Sequence, residues 1–447
     1  MRKTERDESM RFRVAILGCG TVGGAVARIL LDERAALCER VGREVELARI
    51  VDVIPGRSAE RHALPRDLYA GSGAELTPEE AAAEIERILD DESIDLVVET
   101  IGGSGDRILG IVRGALEHGK HLVTANKALL AKHGDELLGV AREQSRGLGF
   151  EAAVCGAIPI IKGLNECLTG DEIQSISGIM NGTSNYILSQ MASQGQTFDA
   201  ALKDAQAKGY AEADPTLDID GGDAGHKLTI ILRLAFGLDV VFEDLPRQGI
   251  DTITAGDVGF AHEMEGVIKL ICHAQRQGDS VYAAVRPMIV KQTNLLSKID
   301  GATNAVRVVG KYAGEIVEIG QGAGGPETAS SIVSDIVFLA RYGDVVAPAP
   351  AKGKLRLRPL GELEMPYNVV FETSDVPGIT GLVATAVGRQ DINIDTVSHN
   401  RHENQLAEFA IATMPCTRAQ VERAVRDIQE NHPGSLHAEP RIMPILV

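Results

Sequence analysis

Between Glu212 and Lys227 the chain carries Glu212, Asp214, Asp218, Asp220 and Asp223, then a single lysine, Lys227. Asp223 and Lys227 are four apart, so on a helix they lie on one face, one turn above the other. A lysine ammonium beside a carbonyl oxygen stabilises negative charge building there and can supply a proton, while neighbouring carboxylates can hold a substrate's amino group. Taken alone, the pair reads first as an i,i+4 surface ion pair. The residues that follow argue otherwise. Leu228 to Ala235 is apolar except for Arg233, the pattern of a buried helix, and a lysine at the edge of such a helix is costly to bury without a purpose.

A second lysine, Lys127, closes the run TANK at the end of a strand expected over His121–Ala125. Near the start, Gly18, Gly20 and Gly23 form G-x-G-x-x-G between a strand expected over Arg11–Gly18 and a helical pattern from Gly24 to Leu37. In that setting the glycines allow a tight turn, close approach to a pyrophosphate and close helix–strand packing. Asp52 ends the second strand, Val45–Asp52, where a carboxylate meets ribose hydroxyls; Arg57 just beyond would instead suit a 2′-phosphate, so NAD and NADP both stay open. Gly322, Gly324 and Gly325 form a second glycine-rich turn opening a helix toward Ala340, readable as a nicotinamide contact or as a packing turn.

The elements needed to position these residues follow from periodicity and punctuation. Helices over Thr77–Leu89, with Pro78 at its first position, and Asp106–His118 alternate with strands over Ile94–Ile101 and His121–Ala125, and Pro55–Ala74 reads as a polar loop. That alternation predicts a doubly wound, mainly parallel sheet of Rossmann type. Leu148–Val154 reads as a further strand, followed by a turn, CGAIPIIKGL, whose carbonyls could face a cation. Ile173–Met180 reads as a strand running into a helix with Asn181 or Thr183 at its start, Phe198–Lys208 as a helix, and Val281–Ile289 and Asn304–Ile319 as strand-bearing. The Pro- and Lys/Arg-rich run 347–359 reads as a linker. Beyond it, strands Tyr367–Thr373, Ile392–Ser398, Leu406–Thr413 and His437–Leu446 with helices Ile379–Val387 and Thr417–Glu430 give β-α-β-β-α-β, a ferredoxin-like unit.

Bulk properties narrow the classes. The 447 residues carry a net charge of −18, which argues against nucleic acid or an anionic membrane as partner. No apolar run approaches a membrane span, the first ten residues are charged, and the six cysteines show no CxxC, so a cytoplasmic protein is expected.

Taken in order, GCGTVG, VVETIGG, TANK, NGTSNYIL, GYAEADP…DGGDAGHK and GAGGPETAS resemble homoserine dehydrogenase, and the DVPGI turn after Tyr367 resembles that of an ACT domain, a small-molecule-sensing module. The resemblance implies a Rossmann domain over 11–147 completed by a helix around 324–342. It further implies an α+β catalytic and dimerisation domain over 148–320, a linker over 347–362 and an ACT domain over 363–447. It implies Lys227 as proton donor with Asp223 and Lys127 in the catalytic site, and Glu212, Asp223, Thr183 and Asp218 around the substrate, aspartate semialdehyde or homoserine. Gly18, Gly20, Thr21, Val22, Gly23, Asp52, Thr100, Lys127, Gly209 and Gly324 would contact NAD or NADP. Glu151, Val154, Gly156 and Ile158 would hold sodium or potassium, mostly through carbonyls. Where many members carry an arginine at the end of the second strand, this chain has Val51-Asp52, which puts NADP preference in doubt. Threonine at the Val376–Thr380 turn and Asn393 is the implied effector, and a homodimer or homotetramer the implied assembly. Two other readings suit the residues: a dehydrogenase for another amino-acid semialdehyde, and a nicotinamide- and amino-acid-binding sensor without catalysis.

Overall fold

The first strand, β1 (Arg11–Leu17), buries nearly every residue after Arg11, as a strand covered on both faces must. It belongs to a computed structural model that describes residues 11–343, 355–401 and 406–447. The chain divides into two units: Met1–Gly170 with Thr229–Phe242 and Glu318–Gly353, and Asp171–Leu228 with Glu243–Val317 and Lys354–Val447. Residues 344–354, which include the start of the expected linker, lie outside the described part.

In the first unit β1 is followed by α1 (Thr21–Asp32), α2 (Arg34–Val41), β2 (Glu44–Val51), α3 (Pro55–His62), α4 (Pro78–Asp90), β3 (Leu96–Glu99), α5 (Asp106–Glu117), β4 (His121–Thr124), α6 (Lys127–Glu143) and β5 (Leu148–Gly149). The strands are parallel in the order β2-β1-β3-β4-β5, so the sheet reverses direction of winding between β1 and β3. Ligands bind at such switch points, beyond the carboxyl ends of the strands. Helix Gly325–Tyr342 joins this unit late in the chain; its Ala329, Ile332, Ile336 and Leu339 share one core with Phe12, Val14, Val26 and Leu30.

Several expectations need correcting here. Pro55–Ala74 is not a loop: Pro55 starts α3 and Ser58 and Ala59 are buried, while short 3₁₀ turns follow at Arg66–Leu68 and Ala70–Gly73. The helix expected over Gly24–Leu37 starts at Thr21 and breaks at Glu33 into α1 and α2. The strand expected over Leu148–Val154 ends at Gly149, and Glu151–Ala153 is a 3₁₀ turn.

The second unit contains β6 (Ile173–Ile179), α7 (Gly182–Gln194), α8 (Phe198–Ala207), the first part of α9 (Gly222–Phe236), α10 (Ala255–Glu263), β7 (Gly266–Gln277), β8 (Ser280–Lys291), β9 (Thr303–Gly310), β10 (Gly314–Gln321) and β11 (Arg356–Pro359). It goes on with β12 (Tyr367–Ser374), α11 (Ile379–Gly388), β13 (Ile394–Arg401), β14 (Leu406–Thr413), α12 (Arg418–Asn431) and β15 (Arg441–Leu446). The described part of the expected linker is therefore strand in part: β11 pairs in parallel with β8, Arg356 opposite Ser280. The β-α-β-β-α-β order after residue 366 is present, but its sheet is continuous with that of residues 171–317. The order runs β10-β9-β6-β7-β8-β15-β12-β14-β13, and β15 meets β8 in parallel with Ile445 opposite Ile289. One core spans the joint, with Ile271, Met288 and Val290 packed among Tyr367, Phe371, Val383 and Ile428. Arg441 on β15 adds ion pairs to Asp257 on α10 at 2.8 Å and to Glu408 on β14 at 2.6 Å.

Candidate active site

In the second unit the site is built at the corner where β6 turns into α7. Asn181 is the N-cap of α7: its Oδ1 accepts the Ser184 amide at 2.7 Å, satisfying a donor the helix cannot. The same side chain donates through Nδ2 to Asp218 Oδ1 at 2.6 Å and to Asp223 Oδ2 at 2.9 Å. Lys227 Nζ donates to Asp223 Oδ2 at 2.8 Å and to the Met180 carbonyl at 2.6 Å. Asp223 and Lys227 are 6% and 7% exposed, so this is a buried pair rather than a surface one. Burial raises the Asp218 pKa, the Asn181 hydrogen bond opposes the rise, and the charge of Asp223 adds to it. With both acids ionised, two carboxylates outweigh one ammonium, and the cluster favours a further cation such as a substrate ammonium.

The other expected substrate residues divide. Thr183 donates to the Tyr210 carbonyl at 2.7 Å and also hydrogen-bonds Asp218, which places it at the cluster. Glu212 is exposed, and its carbonyl accepts Gln206 Nε2 at 3.3 Å. Asp214 and Asp220 serve their own turns, accepting the amides of Thr216 at 3.2 Å and Gly222 at 2.7 Å. Gly209 ends α8 with φ +75°.

The cofactor half belongs to the first unit. Gly18 stands at φ +88°, and a Cβ there would fall 2.8 Å from the Thr100 carbonyl; a Cβ on Gly23 would fall 2.1 Å from the Gly18 carbonyl. Both glycines are therefore forced by packing of the turn, whereas a Cβ on Gly20 would meet nothing within 4 Å, leaving room for a ligand. Thr100 Oγ1 donates to Gly18 O at 2.7 Å, locking the ends of β1 and β3 together at the switch point. The amides of Thr21, Val22 and Gly23 open α1, whose first turn has no side-chain cap and no acid, the arrangement that receives phosphate. Asp52 accepts Cys19 N at 2.7 Å and Ile54 N at 2.8 Å; with Arg57 and Arg61 it lines a cavity of about 230 Å³ beside Gly20. Gly324 caps helix Gly325–Tyr342, and a Cβ on Gly325 would lie 3.2 Å from the Thr21 carbonyl, so the second glycine-rich turn lies against the first.

Lys127 is half-buried and is the first residue of α6, with Asn126 as N-cap accepting Leu129 N at 3.1 Å. A cation at the positive end of a helix is disfavoured by the macrodipole, a cost that function can explain. Buried Glu99, which the sequence reading passed over, ties this corner down: it accepts Thr124 Oγ1 at 2.6 Å and the amides of Ile101 and Gly102 at 2.9 Å. The signal for it was a carboxylate inside an otherwise apolar strand. In the 151–158 turn, Glu151 is buried and accepts the amides of Ile161 and Lys162 at 2.7 and 2.8 Å. Val154 is extended, Cys155 and Gly156 lie at φ +57° and +54°, and the Gly156 carbonyl accepts Ser331 Oγ at 2.8 Å; Ile158 follows on the return.

Amides ready for phosphate at a switch point, and a buried lysine held by a buried carboxylate with a half-buried one beside it, are the parts of a nicotinamide-dependent dehydrogenase acting on a substrate with an amino group. Comparison with known proteins agrees. The model of the family "Homoserine dehydrogenase" matches residues 159–337 and that of "Homoserine dehydrogenase, NAD binding domain" residues 18–151. A homoserine dehydrogenase of Neisseria gonorrhoeae is 36% identical over 426 residues, 93% of this chain and 94% of that protein. The crystal structure of a homoserine dehydrogenase from Thiobacillus denitrificans superposes with a TM-score of 0.87 at 34% identity, covering 97% of this chain and 98% of that one. A hyperthermophilic archaeal homoserine dehydrogenase mutant in complex with NADPH superposes with a TM-score of 0.61 at 27% identity, covering 73% of this chain and 97% of that one. The chain belongs to the homoserine dehydrogenase family.

Proposed function

We propose that this chain interconverts L-aspartate 4-semialdehyde and L-homoserine with a nicotinamide cofactor, Lys227 acting as proton donor. The observation that carries the residue assignment is the Asp223–Lys227–Met180 arrangement, which holds an ammonium in a buried place at fixed geometry. The nicotinamide, when bound, supplies the hydride. As the aldehyde is reduced, negative charge builds on its oxygen; Lys227 stabilises that charge and passes a proton to it. Asp223 fixes Lys227, Asn181 spaces Asp218 from Asp223, and Asp218, Thr183 and Glu212 receive the substrate's ammonium. Lys127 is assigned to the cofactor and reacting end. The test is nicotinamide absorbance with homoserine against a panel of other hydroxy-amino acids. A rate confined to homoserine supports the reading, and no homoserine-dependent change overturns it in favour of a binding sensor.

For the cofactor, Gly18, Gly20, Thr21, Val22, Gly23, Thr100, Gly209 and Gly324 are the proposed contacts. Arg57 and Arg61 beside Asp52 support acceptance of a 2′-phosphate, and hence NADP, despite the aspartate. The 151–158 turn is proposed to hold sodium or potassium through Glu151, Val154, Gly156 and Ile158. The backbone reversal at Cys155–Gly156 supports this; because both oxygens of the Glu151 carboxylate accept the Ile161 and Lys162 amides, the ligands would be backbone carbonyls. Residues 363–447 are proposed to be an ACT domain binding threonine at the Val376–Thr380 turn and Asn393, in a dimer or tetramer. The β-α-β-β-α-β order supports this, and loss of threonine inhibition in Asn393→Ala is its test.

A further inference from the structure

A cavity of about 210 Å³ lies in the second unit, where residues 246–248, β8, the Leu360–Gly361 corner and the start of α12 meet. Arg247, Arg286 and Arg418 all line it, in a chain whose net charge is −18. Arg286 Nη2 donates to Gln248 Oε1 at 3.1 Å, Arg247 Nη1 to the Leu245 carbonyl at 3.2 Å, and Arg418 Nε to Glu422 Oε1 at 2.8 Å. Gly361 makes room for the arginine stem: a Cβ there would fall 3.2 Å from Arg418 Cβ.

Arg418, which lines this corner, has its Nη1 buried without a hydrogen-bond partner among the described residues. Burial, and then the charge of Arg418, lowers the Arg286 pKa to about 10. Glu422 offsets part of this charge, from 2.8 Å at Arg418; the like charges that remain beside an unsatisfied donor are a cost that an anion would remove, and guanidinium forks match the oxygens of carboxylate or phosphate. The cavity is smaller than the ~300–1,000 Å³ typical of larger ligands, which limits the occupant to a small molecule.

We propose that this corner is a binding site for a small oxyanion, a carboxylate or a phosphate, gripped by Arg286 and Arg418. Such a ligand links α12 to β8 and so ties the β-α-β-β-α-β segment to the rest of its sheet. The test uses the full chain with saturating nicotinamide cofactor, titrated with inorganic phosphate, with malonate, and with chloride at matched ionic strength. Thermal shift and calorimetry are the readouts. A saturable shift with phosphate, with malonate or with both, and none with chloride, is expected, and the responding anion names the class. Arg286→Met and Arg418→Gln should each weaken the apparent Kd by about tenfold or more. Arg286→Lys and Arg418→Lys, which keep the charge but lose the fork, guard against misfolding and should weaken binding several-fold. No saturable shift with either anion, or an equal shift in Arg286→Met/Arg418→Gln, overturns the proposal.

Discussion

Replacing Lys227 with methionine separates what the lysine does for chemistry from what it does for the fold. Methionine keeps the apolar stem but removes the ammonium that Asp223 Oδ2 and the Met180 carbonyl share at 2.8 and 2.6 Å. Loss of a proton donor at the reacting oxygen should lower kcat by about 10²–10⁴, or ~3–5 kcal/mol of transition-state stabilisation. The fold also suffers, because Asp223 is left with a buried charge. Breaking a buried pair costs ~3–5 kcal/mol, and the lower end applies because Asn181 Nδ2 still donates to Asp223 at 2.9 Å. At ~2–4 °C per kcal/mol that is a Tm loss of about 6–12 °C. Adding Asp223→Asn to Lys227→Met removes the stranded charge, so the double variant should recover much of the Tm and none of the kcat. The assays are steady-state kinetics with homoserine, nicotinamide Kd by fluorescence, and thermal melts. The nicotinamide Kd should hardly change. If kcat in Lys227→Met stays within tenfold of the parent, or returns together with the Tm in the double variant, Lys227 is structural and the mechanism above is wrong.

Other perturbations have equally definite outcomes. Gly23→Ala places a Cβ 2.1 Å from the Gly18 carbonyl and should lower both the Tm and nicotinamide affinity. Gly20→Ala, with open space around the new carbon, should weaken nicotinamide binding tenfold or more with a much smaller Tm change; equal Tm losses would refute this contrast. Arg57→Ala/Arg61→Ala should raise KM for NADP and leave that for NAD unchanged, as parallel kinetics with the two cofactors would reveal. His273 is buried with Nδ1 2.9 Å from Ser177 Oγ, and burial lowers its pKa to about 4. The unfolded chain therefore binds this proton more tightly, with a pKa of ~6.5. The contribution to stability is whole above pH ~6.5 and declines by up to ~3 kcal/mol as the pH falls toward 4. His273→Gln should flatten the melting profile in that window relative to the parent, and identical profiles would count against it.

The glycine spacing after β1, the strand–helix alternation and the 223–227 pair were readable because they rest on local rules of turn, period and face. What could not be read depends on distant residues. Asn181 announces itself only as a cap; its second role, bridging Asp218 and Asp223, exists because α9 returns to the β6–α7 corner. Nothing local distinguishes Asp218 from Asp214 and Asp220, yet the latter two bind their own turns and Asp218 does not. Polar Pro55–His62 forms a helix because Ser58 and Ala59 bury one narrow face, too short a stripe for periodicity to reveal. β7 is not legible in the sequence: its charged Lys269 and Arg276 hide a strand whose lysine is buried against the Ile299 carbonyl at 2.6 Å. The joining of β15 to β8 is a pairing across more than a hundred residues of chain, invisible to any window.

That joint changes how the last eighty or so residues can behave. A domain on a flexible tether melts on its own, and calorimetry then records two transitions. Here β8 is paired with β15, the core beneath them is shared by Met288, Val290, Tyr367 and Phe371, and Arg441 ties β15 to buried Asp257 on α10 and to Glu408 on β14. The second unit should thus unfold as one cooperative block, and cutting away residues 361–447 would strip the cover from Ile271, Met288 and Val290 rather than release an accessory. The far strands β14 and β13 and the strand β6 that leads to Asn181 lie in one hydrogen-bonded sheet, so a strain at one end is shared along it rather than taken up at a hinge.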